Sequence, residues 1–201
     1  MTFARLFVRD VRGSMSIELC IMTPILVWVL ISTFVYFDLF RTEANVERAS
    51  ITVADLYSRE TEAVTDQYID TTVTLLQELT YADDNPLLRV TAYTYDEPSD
   101  TYQTIWSEDR GFGSPLLDTD LDQLQIANRL PLLGNQGRAI LVETQTQYVP
   151  LVSTDLSLFN MPYVDNPTFN TFTVVQPRFQ FKRLCFAPTP TNLTDVTNNI
   201  C

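Results

Sequence analysis

The sequence predicts an α+β protein: a long N-terminal helix that begins as a membrane span, a second helix, and then a small antiparallel β-sheet. Three observations predict it. The stretch from Leu19 to Phe37 carries no charge. Beyond it, apolar residues recur at helical spacing as far as Leu79. From Leu87 the spacing changes to alternation, in segments rich in Thr, Tyr, Ile and Trp. Helices followed by strands argue for segregated α+β layers rather than alternating βαβ units.

The uncharged stretch spans roughly 28 Å as a helix at about 1.5 Å per residue, which matches the hydrocarbon core of a bilayer. Its flanks are polarised. Of 25 acidic and 13 basic residues, only Asp10, Glu18 and Asp38, and Arg5, Arg9 and Arg12, precede Phe40, which leaves 22 acidic against 10 basic beyond it. The positive-inside rule keeps the Arg-bearing end cytoplasmic and exports the acidic remainder. The expected organisation is a cytoplasmic leader at 1–13, a transmembrane helix at 14–40 and an extracytoplasmic α+β domain at 41–201. A cleavable secretory signal fits poorly, because the apolar run is long, ends in Phe34, Val35, Tyr36 and Phe37, and lacks a small-residue cleavage site. An ordinary single-pass anchor stays open at this point.

Past the span, Val46, Ala49, Val53 and Leu56 form a stripe at 3-4-3 spacing, with Glu43, Glu47, Asp55 and Arg59 on the other sides. This predicts one helix from about Ser16 to Ser58, with the stripe seated on the protein's own sheet. A second amphipathic helix is predicted at Val64–Leu79, with Ile69, Val73 and Leu76 aligned and Tyr68, Thr72, Leu75 and Leu79 widening the face. Asp83, Asp84, Asn85 and Pro86 are expected to stop it. Val90–Tyr95 and Tyr102–Ser107 flank the turn residues Asp96 to Asp100, which is a hairpin signal broken by Arg110–Gly113. Leu116–Arg129 is expected to hold one short helix. Ile140, Val142, Thr144, Thr146 and Tyr148 alternate with polar residues as a half-buried strand, and a last strand or strand pair is expected around Phe172–Phe186.

Composition excludes several functions. A formal charge of −12 disfavours nucleic acid, because phosphate binding needs a basic face. Histidine is absent, which removes Ser-His and Cys-His nucleophile arrangements and most zinc sites. Five glycines leave little for a phosphate-cradling loop. Asp118-Thr119-Asp120-Leu121-Asp122 resembles the start of a calcium loop but lacks the turn Gly and the bidentate Glu, so a solvated acidic loop is the expectation. No catalytic constellation, metal site or cofactor site is expected, and the chain does not read as an enzyme.

The flanks of the span carry a more specific pattern. Gly13 precedes Ser14, Glu18 follows at the lip of the apolar run, and Pro24 interrupts the helix. Placed between an Arg-bearing leader and a span, this pattern resembles a type IV pilin-type precursor, and specifically the TadE/TadG-like family of the tight-adherence (Flp) pilus system. Short segments farther along are also similar to that family: Val46-Glu47-Arg48-Ala49, Thr104-Ile105-Trp106-Ser107, Gln147-Tyr148-Val149-Pro150-Leu151 and Gln176-Pro177-Arg178. The resemblance implies a pilin-like fold, cleavage by a prepilin peptidase between Gly13 and Ser14, and a pseudopilin or minor pilin that acts with other Tad/Flp pilus proteins in pilus assembly and adherence. It places the chain in a bacterial inner membrane with the bulk in the periplasm, staying there or entering the fibre. The new Ser14 amine and the Glu18 carboxylate are each costly at a membrane edge, so a neighbouring subunit that paired them would neutralise both. Glu18 reaching back to the headgroups is the competing role. The alternative function is a membrane-tethered extracytoplasmic sensor, binding domain or enzyme, for which Gly13 and Glu18 have no role.

Cysteine usage agrees with export. Cys20 lies in the span as a small apolar residue. Cys185 and Cys201 fall outside, where disulfides persist, and pairing them would close a C-terminal loop worth roughly 3 kcal/mol.

Overall fold

The computed structural model describes residues 14–82, 84–123, 128–131, 133–150, 166–178 and 184–187. These comprise helix α1 (Ser14–Arg59), helix α2 (Asp66–Thr80), strands β1 (Leu87–Asp96) and β2 (Thr101–Arg110), the single-turn helix α3 (Asp118–Leu121), and strands β3 (Arg138–Gln147) and β4 (Thr168–Val175). The architecture is α+β, with a long apolar N-terminal helix and one antiparallel four-stranded sheet in the order β2-β1-β3-β4. The described residues divide into two compact units, one holding α1 up to Phe40 and the other holding Arg41 to Val149 and everything from Asn166 on.

In the first unit α1 is apolar along its length and long enough to cross a membrane, and only 6% of its most apolar window is buried. Leu19, Leu26, Leu30, Phe34, Phe37 and Phe40 are all exposed. A core helix of a soluble protein would cover such residues; a lipid-facing helix leaves them open.

In the second unit the end of α1 and all of α2 lie on one face of the sheet. Ala49, Val53, Ala54 and Tyr57 of α1 and Ile69 and Leu76 of α2 pack with Leu88, Val90 and Ala92 of β1, Trp106 of β2, and Ile140 and Val142 of β3. Val46 is also fully buried. Leu56, the expected last member of the stripe, is exposed, and Tyr57 takes its place in the core. The expectation of Val64 as the start of α2 is corrected. Val64 is in a bridge to Phe186, and Thr65 caps the helix by accepting the Tyr68 N–H at 3.1 Å. A hydroxyl that satisfies an orphan amide is what the first turn of a helix requires. The helix stops earlier than the Asp-Pro cluster, at Tyr81, whose left-handed backbone (φ 54) sends its N–H to Gln77 O. Leu75 and Leu79, expected to widen the buried face, are exposed, while Thr72 is buried.

The hairpin forms with the predicted turn, and both strands extend farther at their open ends. Its register shifts between Ala92 and Tyr93, where Ile105 is the extra residue that lets Trp106 face Ala92. Gly111 ends β2 at φ 100, and a Cβ there would collide with the Leu87 side chain. Strand β3 was expected to be half-buried. Its alternating set, Ile140, Val142, Thr144, Thr146 and Tyr148, is buried, but so are Ala139 and Leu141 on the opposite face. Those two join Tyr93, Tyr102, Leu116, Leu121, Leu130 and Leu133 in a second cluster under the segment around α3. The last strand begins at Thr168, before Phe172, and the expected alternation of Phe179 and Phe181 lies outside the described residues.

Candidate functional site

Of the residues singled out in sequence, the leader up to Gly13, Asp83, Leu151 and Cys201 lie outside the described residues. Ser14 is the first residue of α1. Glu18 sits one turn farther along and is exposed, immediately before the exposed Leu19. Cys20 is a free, exposed thiol, and Pro24 is inside the helix. A proline there removes one backbone hydrogen bond. Thr23 Oγ1 donates to Leu19 O at 2.6 Å, which satisfies the side-chain hydroxyl within the helix itself. The arrangement puts one carboxylate, Glu18, at the near end of an otherwise uncharged apolar surface.

In the second unit the polar groups are used structurally. Arg110, at the end of β2, donates from Nε to Asp70 at 2.6 Å and from Nη2 to Asp66 at 2.8 Å, both on the first turns of α2. Its remaining terminal nitrogen lies 3.5 Å from Glu108. Despite partial burial, Asp70 and Asp66 hold the guanidinium pKa above its usual value. Burial, and next the nearby Asp66 charge, push the Glu108 carboxyl above the ordinary carboxylate range, although Arg110 opposes them. Beside this cluster Tyr57 and Tyr68 meet edge to face at 5.5 Å, and the buried Tyr57 hydroxyl donates to Thr72 Oγ1. Burial raises the Tyr57 pKa; burial and the Glu60 carboxylate push Tyr68 up to about 12. A shallow groove of about 350 Å³ runs over Leu56, Thr65, Gln67, Tyr68 and Leu75, without a charged lining residue.

The described parts of the segments tied to the resemblance have definite places. Trp106 is buried and its Nε1 donates to Leu184 O at 2.8 Å. Val64 N–H donates to Cys185 O and Ala187 N–H to Val64 O, each at 2.8 Å, so residues 184–187 run alongside the α1–α2 link. Arg178 pairs with Asp55, and its N–H donates to Ser58 O at 2.9 Å. Burial opposes ionisation of Asp55, but the Arg59 and Arg178 guanidiniums outweigh it and hold the carboxyl below the usual range. Tyr148 is buried and its N–H donates to Pro167 O at 2.9 Å.

The acidic segment is solvent-exposed at Asp118 and Asp122, as expected, but it forms a helical turn and its carboxylates are also hydrogen-bonded. Asp122 Oδ1 accepts the Tyr102 N–H at 2.8 Å and Asp118 Oδ1 accepts the Thr104 N–H at 2.6 Å. Asp120 instead serves its own segment, accepting the Leu117 N–H at 3.0 Å. Among the described residues no group of three or more His, Cys, Asp or Glu is arranged to hold a metal ion. Sequence reasoning missed the roles of Arg110, Asp118 and Asp122, because each partner lies 14 to 44 positions away.

No family model, no curated protein and no solved structure matches the chain.

Proposed function

We propose that the protein is a TadE-like pseudopilin or minor pilin, anchored by α1 and acting in Flp/Tad pilus assembly. The observation that supports this reading is the start of α1: Glu18 is exposed one turn after Ser14, at the lip of an exposed apolar helix that contains Pro24. An ionised group there is costly without a partner, and the Ser14 amine released by cleavage after Gly13 would supply one from an axially shifted neighbour. The same reading takes residues 1–13 as a cytoplasmic leader, the acidic domain as periplasmic, the prepilin peptidase and other Tad/Flp proteins as partners, and Cys185–Cys201 as a disulfide. The protein acts by helix packing and surface recognition, not as an enzyme.

The first test is the N-terminal mass of the protein extracted from its native membrane. A chain beginning at Ser14 is the expected result; a chain beginning at Met1 would leave a membrane-tethered domain. The second is Glu18→Ala. Loss of piliation at unchanged protein abundance is expected, and normal piliation would remove Glu18 from the assembly role.

A further inference from the structure

Among the described residues strand β2 is an edge of the sheet, paired only with β1. An edge strand turns every second N–H outward, and a row of such donors is a template for another strand. In β2 two successive outward donors, Tyr102 N–H and Thr104 N–H, are already occupied, by Asp122 and Asp118. The spacing explains the fit. Residues four apart along a helical turn are separated by about 6 Å, and residues two apart along a strand by about 6.8 Å. One turn of helix therefore presents two carboxylates at the interval at which a neighbouring strand would present its carbonyls. Carboxylate acceptors are also stronger than carbonyls.

We propose that Asp118 and Asp122 close the edge of β2 against a second copy of this chain by taking the amides an incoming strand would bind. A second copy is the occupant to be kept out for two reasons. The β2 sequence, Thr-Tyr-Gln-Thr-Ile-Trp, is itself strand-forming, so two copies meeting antiparallel about the exposed Gln103 present identical donors and acceptors. A chain carried by a membrane-length helix is also confined to a plane with its copies, which raises their effective concentration. Two carboxylates along the edge of a chain with a charge of −12 add repulsion between copies.

The test uses the full chain in detergent micelles, with Gln103→Cys as a reporter and Cys20→Ser to remove the exposed native thiol. The parent carrying the reporter is expected to stay uncrosslinked under mild oxidation. Asp118→Ala with Asp122→Ala is expected to give a dimer crosslinked through position 103, and Asp118→Asn with Asp122→Asn, which keeps both acceptor oxygens, is expected to stay uncrosslinked. A folded Ala pair that does not crosslink, or an Asn pair that crosslinks as readily as the Ala pair, would overturn the proposal. Hydrogen exchange on the unsubstituted chain tests it without relying on the variants. Tyr102 and Thr104 amides are expected to exchange at least about tenfold more slowly than open edge amides; exchange at the open rate would sink the idea.

Discussion

The sheet face that carries Leu88, Val90, Ala92 and Val142 is covered by two helices, whereas the face that carries Tyr93, Ala139 and Leu141 is covered by a segment that has, among its described residues, one helical turn. The first cover is built from periodic sequence, and its members reach the sheet as one stripe. The second is built from Leu116, Leu121, Leu130 and Leu133, which share no period. The difference teaches that a regular element delivers many side chains to a core at once, while residues without a shared period are delivered singly.

The comparison can be broken most strongly at Trp106, on the helical face. Trp106→Ala removes a buried ring, its contact with Phe186 and the hydrogen bond to Leu184. A loss of about 3–5 kcal/mol is expected, read as a shift in the chemical unfolding midpoint by near-ultraviolet circular dichroism of the full chain. Leu121→Ala makes the matching cavity on the other face. A smaller loss is expected there, about 2–3 kcal/mol, because a short irregular cover can settle into the space more readily than a helix can; equal losses in the two variants would erase the distinction. Arg110→Met removes the link between α2 and β2. The carboxylates it engages are partly solvated, so about 1 kcal/mol is expected, shrinking as salt is added.

The smallest effect is expected at Glu108, and it has a sign. Its pKa is raised in the fold, so the protonated form is favoured there and stability declines as pH rises through the folded-state pKa. Glu108→Gln should therefore unfold at a slightly higher temperature than the parent at pH 7. The gain should vanish below the ordinary glutamate value of 4.5, where both states are protonated. Thermal melts at several pH values check this, and a gain independent of pH would contradict it.

How much was legible follows from which residues carry the pattern. The Val46–Val53 stripe, Ile69 and Leu76, and the two strands around Asp96–Asp100 announced themselves because their burial is local and periodic. Strand β4 begins before the place expected of it, and the middle of its helix-side face is polar: Thr144 and Thr171 are 2.7 Å apart, Thr171 donates to Ser50 at 2.8 Å, and Ser50 meets Thr173 at 3.0 Å. A reading based on apolar alternation passes over a face that is satisfied by hydrogen bonds. At the start of α1, Glu18 and Pro24 were legible because a charge and a proline are conspicuous against an apolar run. The roles of Asp118, Asp122 and Arg110 were not, since an acidic residue becomes a cap for a distant amide only once the chain has folded.

The tie from Trp106 to Leu184 has a consequence for the order of events in folding. The two residues are 78 positions apart, and Leu184 and Phe186 belong to the main core. The hairpin and the two helices can form as each emerges from synthesis, but their shared interior stays open to solvent until residues 184–187 arrive. Contacts of such long separation are slow to close. The domain therefore completes its core only after almost all of the described chain has been made, and the helices and hairpin wait for one short late segment.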